Sequence, residues 1–301
     1  VYVVRKTRFD VCITFDLDFQ DYSSGRQLIQ EFESVSPILS AFDHRPDWRA
    51  TWFVRLDSHM EKLFGRPDHI FHRYKRELEH LKQIGHEIGW HPHCFSELND
   101  KWVQNTNVQL ILEELDRYLP LIRDYGLNVV RMGWGFQANE IMHFLTEAGF
   151  VVDSSAIPRP HYQWEETVRD WTNTPIQPYR PSTADYRIPG EPTLPILEVP
   201  ISVMTIPAPY DNGPVLRYCN LAYYPNLLRA PLQSWIHAHT HLVTITHPYE
   251  LMPRDSVHPL FVFSVQALKD NCRQVEEFVY SAGMELSYIR ISDFTKMPGL
   301  T

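Results

Sequence analysis

"FHRYKRELEHLKQIGHEIGWHPH", residues 71–93, carries the pattern on which the reading of this chain turns. Residues 71–85 read as a helix closed by Gly85, because glycine takes without strain the left-handed conformation in which helices commonly end. "HEIGWH" (86–91) follows at once as a short strand, and two residues later His93 joins His91. A helix that hands straight over to a strand is half of a βα unit, and the question is whether the rest of the chain repeats it.

It does. Upstream, "DVCITFDLD" (10–18) reads as a strand ending in acids, residues 27–42 as an amphipathic helix, and "ATWFVRLD" (50–57) as a buried strand. Downstream, residues 107–126 read as helix, 128–133 as strand, 138–149 as helix and 150–155 as strand. Residues 156–215 are rich in Pro and aromatics and predict irregular loops with one strand at "ILEVPI" (196–201). A helix at about 221–238, a strand in "LVTITHPYEL" (242–251) ending at His247, a helix at 264–283 and a last strand in "ELSYIRISDF" complete the alternation. Such alternation predicts a parallel sheet or barrel, whose chemistry sits at the C-terminal strand ends.

Composition narrows the function. A chain of 301 residues that is 44% hydrophobic suits one large α/β core, read as a single domain over 1–301 with the loop-rich insertion at 156–215. Its formal net charge of −9 argues against nucleic acid or an anionic membrane as partner and favours a small or neutral substrate. No run of 18 apolar residues occurs, and no apolar leader is visible at the N-terminus. Cys12, Cys94, Cys219 and Cys272 are scattered, so free thiols and a cytoplasmic, monomeric or weakly dimeric protein are expected.

The strand-end rule then selects polar residues: Asp16 and Asp18, His91 and His93, Arg131 with Trp134, Asp153, and His247. Asp16 and Asp18 share a face of an extended segment, and two carboxylates so close repel unless a cation or proton lies between them. His91 and His93 have the same spacing across Pro92, so both imidazoles can face one ion. One carboxylate and two imidazoles make a three-ligand set with an open position, suited to a hydrolytic divalent ion, most naturally Zn²⁺, with Co, Mn, Ni or Fe as alternatives. His86 lies at the other end of the same strand. "HAHTH" (237–241) has inviting spacing but precedes its strand, which puts it at the opposite rim, and a solvated helix end is expected there. His44, His59, His69, His72 and His80 are expected on the surface.

Over roughly residues 8–295 the chain resembles the polysaccharide deacetylase family, the carbohydrate esterases with a NodB-type domain. The resemblance rests on "TFDLD" (14–18), "GHEIGWHPH" (85–93), "RMGWG" (131–135), "VVDSSA" (151–156) and "LVTITHP" (242–248), which follow the family's order. It implies a distorted (β/α)7 barrel and a metal-dependent hydrolase acting on an N-acyl or O-acyl group. It also implies roles: Asp16 as general base oriented by Arg131, Asp18 and His91 on the metal, His247 as general acid tuned by Asp153, and the Trp134 N–H on the oxyanion. The family spaces its two ligand histidines four apart, and Phe95 stands at that position, so the second imidazole comes from His93 or is missing. Trp134, His161, Tyr162, Trp164 and Trp171 are candidates for stacking on a sugar. A deacylase of an amino sugar or related small amide is therefore expected. A degenerate carbohydrate-binding protein and a ring-amide hydrolase of the allantoinase kind are the alternatives.

Overall fold

The computed structural model describes residues 8–18, 35–99, 101–164, 167–255 and 257–297. Strand β1 (Arg8–Leu17) is buried along nearly its whole length, as a strand covered on both faces must be. Helix α1 (Val35–Asp43) is the described part of the helix expected at 27–42; residues 27–34 lie outside the described residues. β2 (Ala50–Arg55) leads to three short helices, α2 (Ser58–Phe64), α3 (His69–Arg73) and α4 (Lys75–Gln83), and then to β3 (Glu87–His91). Gly85 has φ +93°, as the helix-to-strand turn requires.

A hairpin, β4 (Phe95–Leu98) with β5 (Lys101–Gln104), precedes α5 (Val108–Asp124), β6 (Val129–Val130), α6 (Asn139–Glu147) and β7 (Val152–Asp153). The Asn107 side chain caps α5 by accepting from the Leu110 N–H. The helix then buries Ile111, Leu115, Tyr118, Leu119 and Ile122, the three-and-four spacing of one helical face.

Residues 156–215 depart from the expectation of loops around one strand. β8 (Arg159–Trp164) pairs with β9 (Thr167–Trp171), β10 is only Leu197–Glu198, and β11 (Val203–Thr205) pairs with β12 (Leu216–Tyr218). α7 (Pro225–Ala238), β13 (His241–Val243), a 3-10 turn at Pro248–Leu251, α8 (Val265–Ser281), β14 (Glu285–Tyr288) and a 3-10 segment Ile291–Lys296 end the described chain. The strand expected to end at His247 is thus three residues long, and Pro248 starts the turn that follows its extended continuation.

The strands form one parallel sheet in the order β10-β7-β6-β3-β2-β1-β13, with β14 also on β1. β1 meets β14 along Arg8–Val11 and β2 along Ile13–Leu17 on one edge, and β13 on the other. Beyond β10 the chain reaches across to β13, where the Ser202 N–H donates to the Val243 carbonyl at 2.9 Å. The result is a curled sheet of the distorted (β/α)7 type. Helices cover its outside through the core of Val11, Ile13, Trp52, Val54, Trp90 and Val130. A separate cluster of Cys12, Phe53, Val129, Val152, Val243 and Phe294 fills the inside.

Candidate metal and catalytic centre

Strand side chains alternate between faces, and this parity decides what reaches the interior. Cys12 and Phe53 belong to the inner cluster, so Thr14 and Asp16 on β1 and Arg55 on β2 continue inward. On β3 the pairing of Arg55 with His91 puts His91 in the same row; beyond β6 Arg131 follows Val129 by two, and beyond β13 Ile245 and His247 follow Val243 by two and four. Apolar residues occupy the lower part of these rows. Polar residues occupy the C-terminal ends, where Asp16, Asp18, His91, His93, Arg131, Trp134 and His247 line one cavity of about 200 Å³. These are the strand-end residues picked out of the sequence, without Asp153, which the parity excludes.

Asp18, His91 and His93 are buried, and one ligand atom from each lies within 4.8 Å of the others. His91 Nδ1 donates to the Arg131 carbonyl at 2.7 Å, which leaves its Nε2 lone pair facing His93 Nε2 at 3.1 Å. His93 Nε2 is in turn 3.0 Å from Asp18 Oδ2. Donors around a tetrahedral Zn²⁺ stand roughly 3.3 Å apart, so the two sides of this triangle that meet at His93 have the length such a site needs. The other Asp18 oxygen, Oδ1, accepts from Arg55 Nη1 at 2.9 Å, so one oxygen is committed to the guanidinium and one to the imidazoles. The residues present fit a divalent ion. Burial, only partly offset by Asp16 and Asp18, pushes the His91 imidazole down to about 4, so the neutral, ligating form prevails at neutral pH.

The position of His93 is built by its neighbours. Its backbone N–H donates to Asp57 Oδ2 at 3.2 Å, and Asp57 pairs with Arg55 at 2.5 Å. A Cβ on Gly133 would fall 2.4 Å from His93 Cδ2, so only glycine leaves room for the ring. Phe95 packs against His93 at 5.6 Å, Trp134 at 4.6 Å and His59 at 4.5 Å between ring centroids. At the position four beyond His91, then, a phenyl ring supports His93.

Asp16 is bound by Arg131 Nη1 at 2.7 Å; Arg131 also donates to Thr14 Oγ1, the Ser154 carbonyl and Ser154 Oγ. Burial works to raise the Asp16 carboxyl, but Arg131, His91 and His247 together hold it below the usual carboxylate range. His247 is opposed by burial as well, yet Glu250, Asp16 and Asp18 push it up to about 9. One group in the cavity is thus an ionised acceptor and another a protonated donor.

The resemblance implied that Asp153 tunes His247, and the structure corrects this. Asp153 pairs with Val130 and Glu198 in the outward-facing row, and its oxygens accept from Ser155 Oγ at 2.5 Å and Gln137 Nε2 at 2.7 Å. The carboxylate beside His247 is Glu250, with Oε1 3.2 Å from Nδ1. Burial raises both Asp153 and Glu198, which adjoin and favour a shared proton. Trp171 is buried with its indole N–H on the Gly135 carbonyl, a packing role. His161 and Trp164 lie on β8, and their side chains fall outside the described residues, as does that of Tyr162.

Among the decoys, His237 is exposed, but His241 starts β13 and is buried, so that cluster is only partly the solvated end expected. His59, expected on the surface, is buried with its Nδ1 3.4 Å from Arg55. Arg55, Asp57 and Glu250 were the site residues missed. "VRLD" placed Arg55 in the inward row and ended the strand in an acid, a signal parity counting would have caught; Glu250 lies three residues past His247, a spacing that reads as a cap.

No family model matches this sequence, and no curated protein does. Solved structures do. A presumed polysaccharide deacetylase from Mycobacterium smegmatis superposes with a TM-score of 0.54 at 14% identity, covering 98% of this chain and 92% of that one. The fold is therefore of the polysaccharide deacetylase type. A 4-alpha-glucanotransferase from Thermococcus litoralis (TM-score 0.47, 11% identity, 97% of this chain and 38% of that one) carries no weight. The same holds for a presumed polysaccharide deacetylase involved in O-antigen biosynthesis from Bordetella bronchiseptica (0.39, 17%, 92% of each chain).

Proposed function

We propose that the protein is a hydrolase that removes a small acyl group, acetyl or formyl, from the nitrogen of an amino sugar or related small amide. The observation that carries this is the placing of an ionised carboxylate, Asp16, and a protonated imidazole, His247, in the wall of one small cavity with the Asp18, His91 and His93 triangle. A divalent ion held by those three residues would supply Lewis-acid polarisation of the acyl carbonyl and of a water molecule. Asp16 takes the water proton, and Arg131 fixes its free oxygen toward the cavity. His247 gives a proton to the departing amine. Trp134, whose backbone has φ +57° at the cavity wall, is the proposed N–H donor to the developing oxyanion. His161 and Trp164 are the proposed sugar contacts.

The amide reading is tested by metal analysis and turnover together. The untagged protein is expected to carry one divalent ion per chain and to release acetate or formate from an N-acylated amino sugar. Asp16→Asn should abolish turnover while the metal content stays, because the amide keeps the shape and cannot accept the proton. A fully active Asp16→Asn enzyme, or a wild type that holds no metal, sinks the proposal. We further place the protein in a reducing, cytoplasmic setting as a monomer or weak dimer. Cys12, Cys94, Cys219 and Cys272 are all buried as free thiols, and titration after denaturation without reductant should count all four.

A further inference from the structure

We infer that Glu250 is the positioning residue of His247, fixing its ring and its tautomer; the inference rests on the hydrolase reading of the cavity. Glu250 is 2% exposed, at the third position of the turn that His247 begins. Its Oε2 accepts two hydrogen bonds, from the His247 N–H and from Asn220 Nδ2, each at 2.7 Å. Asn220 Oδ1 accepts from the Ala222 N–H at 2.9 Å and from Thr246 Oγ1 at 3.2 Å. Those two donors settle the orientation of the amide, so its NH2 must face Glu250, and the carboxylate is an acceptor on that side. Only Oε1 is left for the imidazole, 3.2 Å from Nδ1.

Nδ1 and Oε1 stand 3.2 Å apart without the alignment of a hydrogen bond, but a carboxylate oxygen repels a bare imidazole nitrogen at that distance and so favours the proton on Nδ1, leaving Nε2 to exchange one with the cavity. The Tyr249 ring stacks on the imidazole at 5.2 Å and 21°, which holds its plane. A cap needs one carboxylate oxygen; Glu250 spends that one on the backbone and on Asn220 and has the other at the ring. The other charges around His247 are Asp16, bound to Arg131, and Asp18, bound to Arg55; His258 feels Glu250, and Arg254 lies against the Tyr249 ring. Burial opposes the imidazolium, and Glu250 is the largest of the groups that offset it, ahead of Asp16 and Asp18.

The test uses the Zn²⁺-loaded protein with N-acetylglucosamine, whose leaving amine needs a proton, and with 4-nitrophenyl acetate, whose phenolate does not. Glu250→Gln is expected to slow amide turnover roughly ten- to hundredfold while ester turnover changes by less than about threefold. Loss of the turn's geometry alone would lower both equally, and that result overturns the inference. Should Glu250→Gln fold poorly, the pair Asn220→Asp with Glu250→Gln keeps a hydrogen bond between the two side chains while moving the charge off the imidazole, and should show the same split. A second readout is independent of turnover: the ¹⁵N titration of His247, assigned by its absence in His247→Gln. Its midpoint should fall by about one unit or more in Glu250→Gln. An unmoved midpoint overturns the role of Glu250 whatever the enzyme hydrolyses. A wild type inactive on both substrates with the midpoint moved overturns the hydrolase reading instead.

Discussion

Gly133 shows how much one missing side chain does. His93 occupies the space a Cβ there would take, so Gly133→Ala must push the imidazole away from Asp18 Oδ2. Gly133→Ala is expected to weaken Zn²⁺ binding roughly tenfold or more and to destabilise the protein by about 1–3 kcal/mol. Competition with a chelator measures the first and urea unfolding the second; unchanged affinity would mean that His93 is no ligand. Phe95 gives the complementary case. Its ring faces His59, His93, Trp102 and Trp134, so Phe95→His places a polar ring in an aromatic cluster. Phe95→His is expected to lower the thermal midpoint without raising Zn²⁺ affinity, as calorimetry of both variants would show. Of the residues picked out of the sequence, those in the inward rows meet at the cavity. Asp153 does not, because one residue of offset sends a strand side chain to the other face, and strand ends alone carry no parity.

At the scale of elements, α2 ties helix capping to the site. Asp57 caps it by accepting from the Met60 N–H at 2.9 Å and also neutralises the buried Arg55, which holds Asp18. Asp57→Ala removes a cap worth about 1 kcal/mol and leaves a guanidinium shared with one carboxylate, so a total loss of roughly 3–5 kcal/mol is expected from urea unfolding of the metal-free protein. Asp57→Asn should recover about the capping part alone. Equal losses in both variants would show that the charge counts for nothing. The long helices and buried strands were legible because their apolar spacing persists over many residues, as in α5 and α8. The pairs β4–β5, β8–β9 and β11–β12 were not, since strands of three to six residues interrupted by Pro and aromatics have no period to read.

The whole molecule feels the charge on His247. Its pKa is raised to about 9 from an ordinary 6.5, so between those values the folded chain keeps a proton that the unfolded chain has lost. Stability from this group is complete below pH 6.5 and disappears as pH rises toward 9, by at most about 3 kcal/mol. Metal-free wild type should therefore lose more stability than His247→Gln between pH 6.5 and 9 in urea titrations. Parallel losses would put the imidazole elsewhere than beside Glu250. Low pH acts through other groups: Asp16, Asp18 and Asp57, all held below the usual range, give up their contribution as pH falls through their lowered values.

β1 is flanked on one edge by β13 and on the other by both β14 and β2. A ribosome delivers β1 well before its partners β13 and β14, so a growing chain holds an apolar strand with an open edge until those strands are made. Pairing at such sequence separation is slow, and shielding of the nascent chain becomes part of what the fold demands of the cell. A chain stopped at residue 240 keeps β1 through β12 but has no strand for that edge, and rapid cleavage in limited proteolysis is the expected result. The same unfilled edge makes a separately supplied 241–301 segment its natural complement.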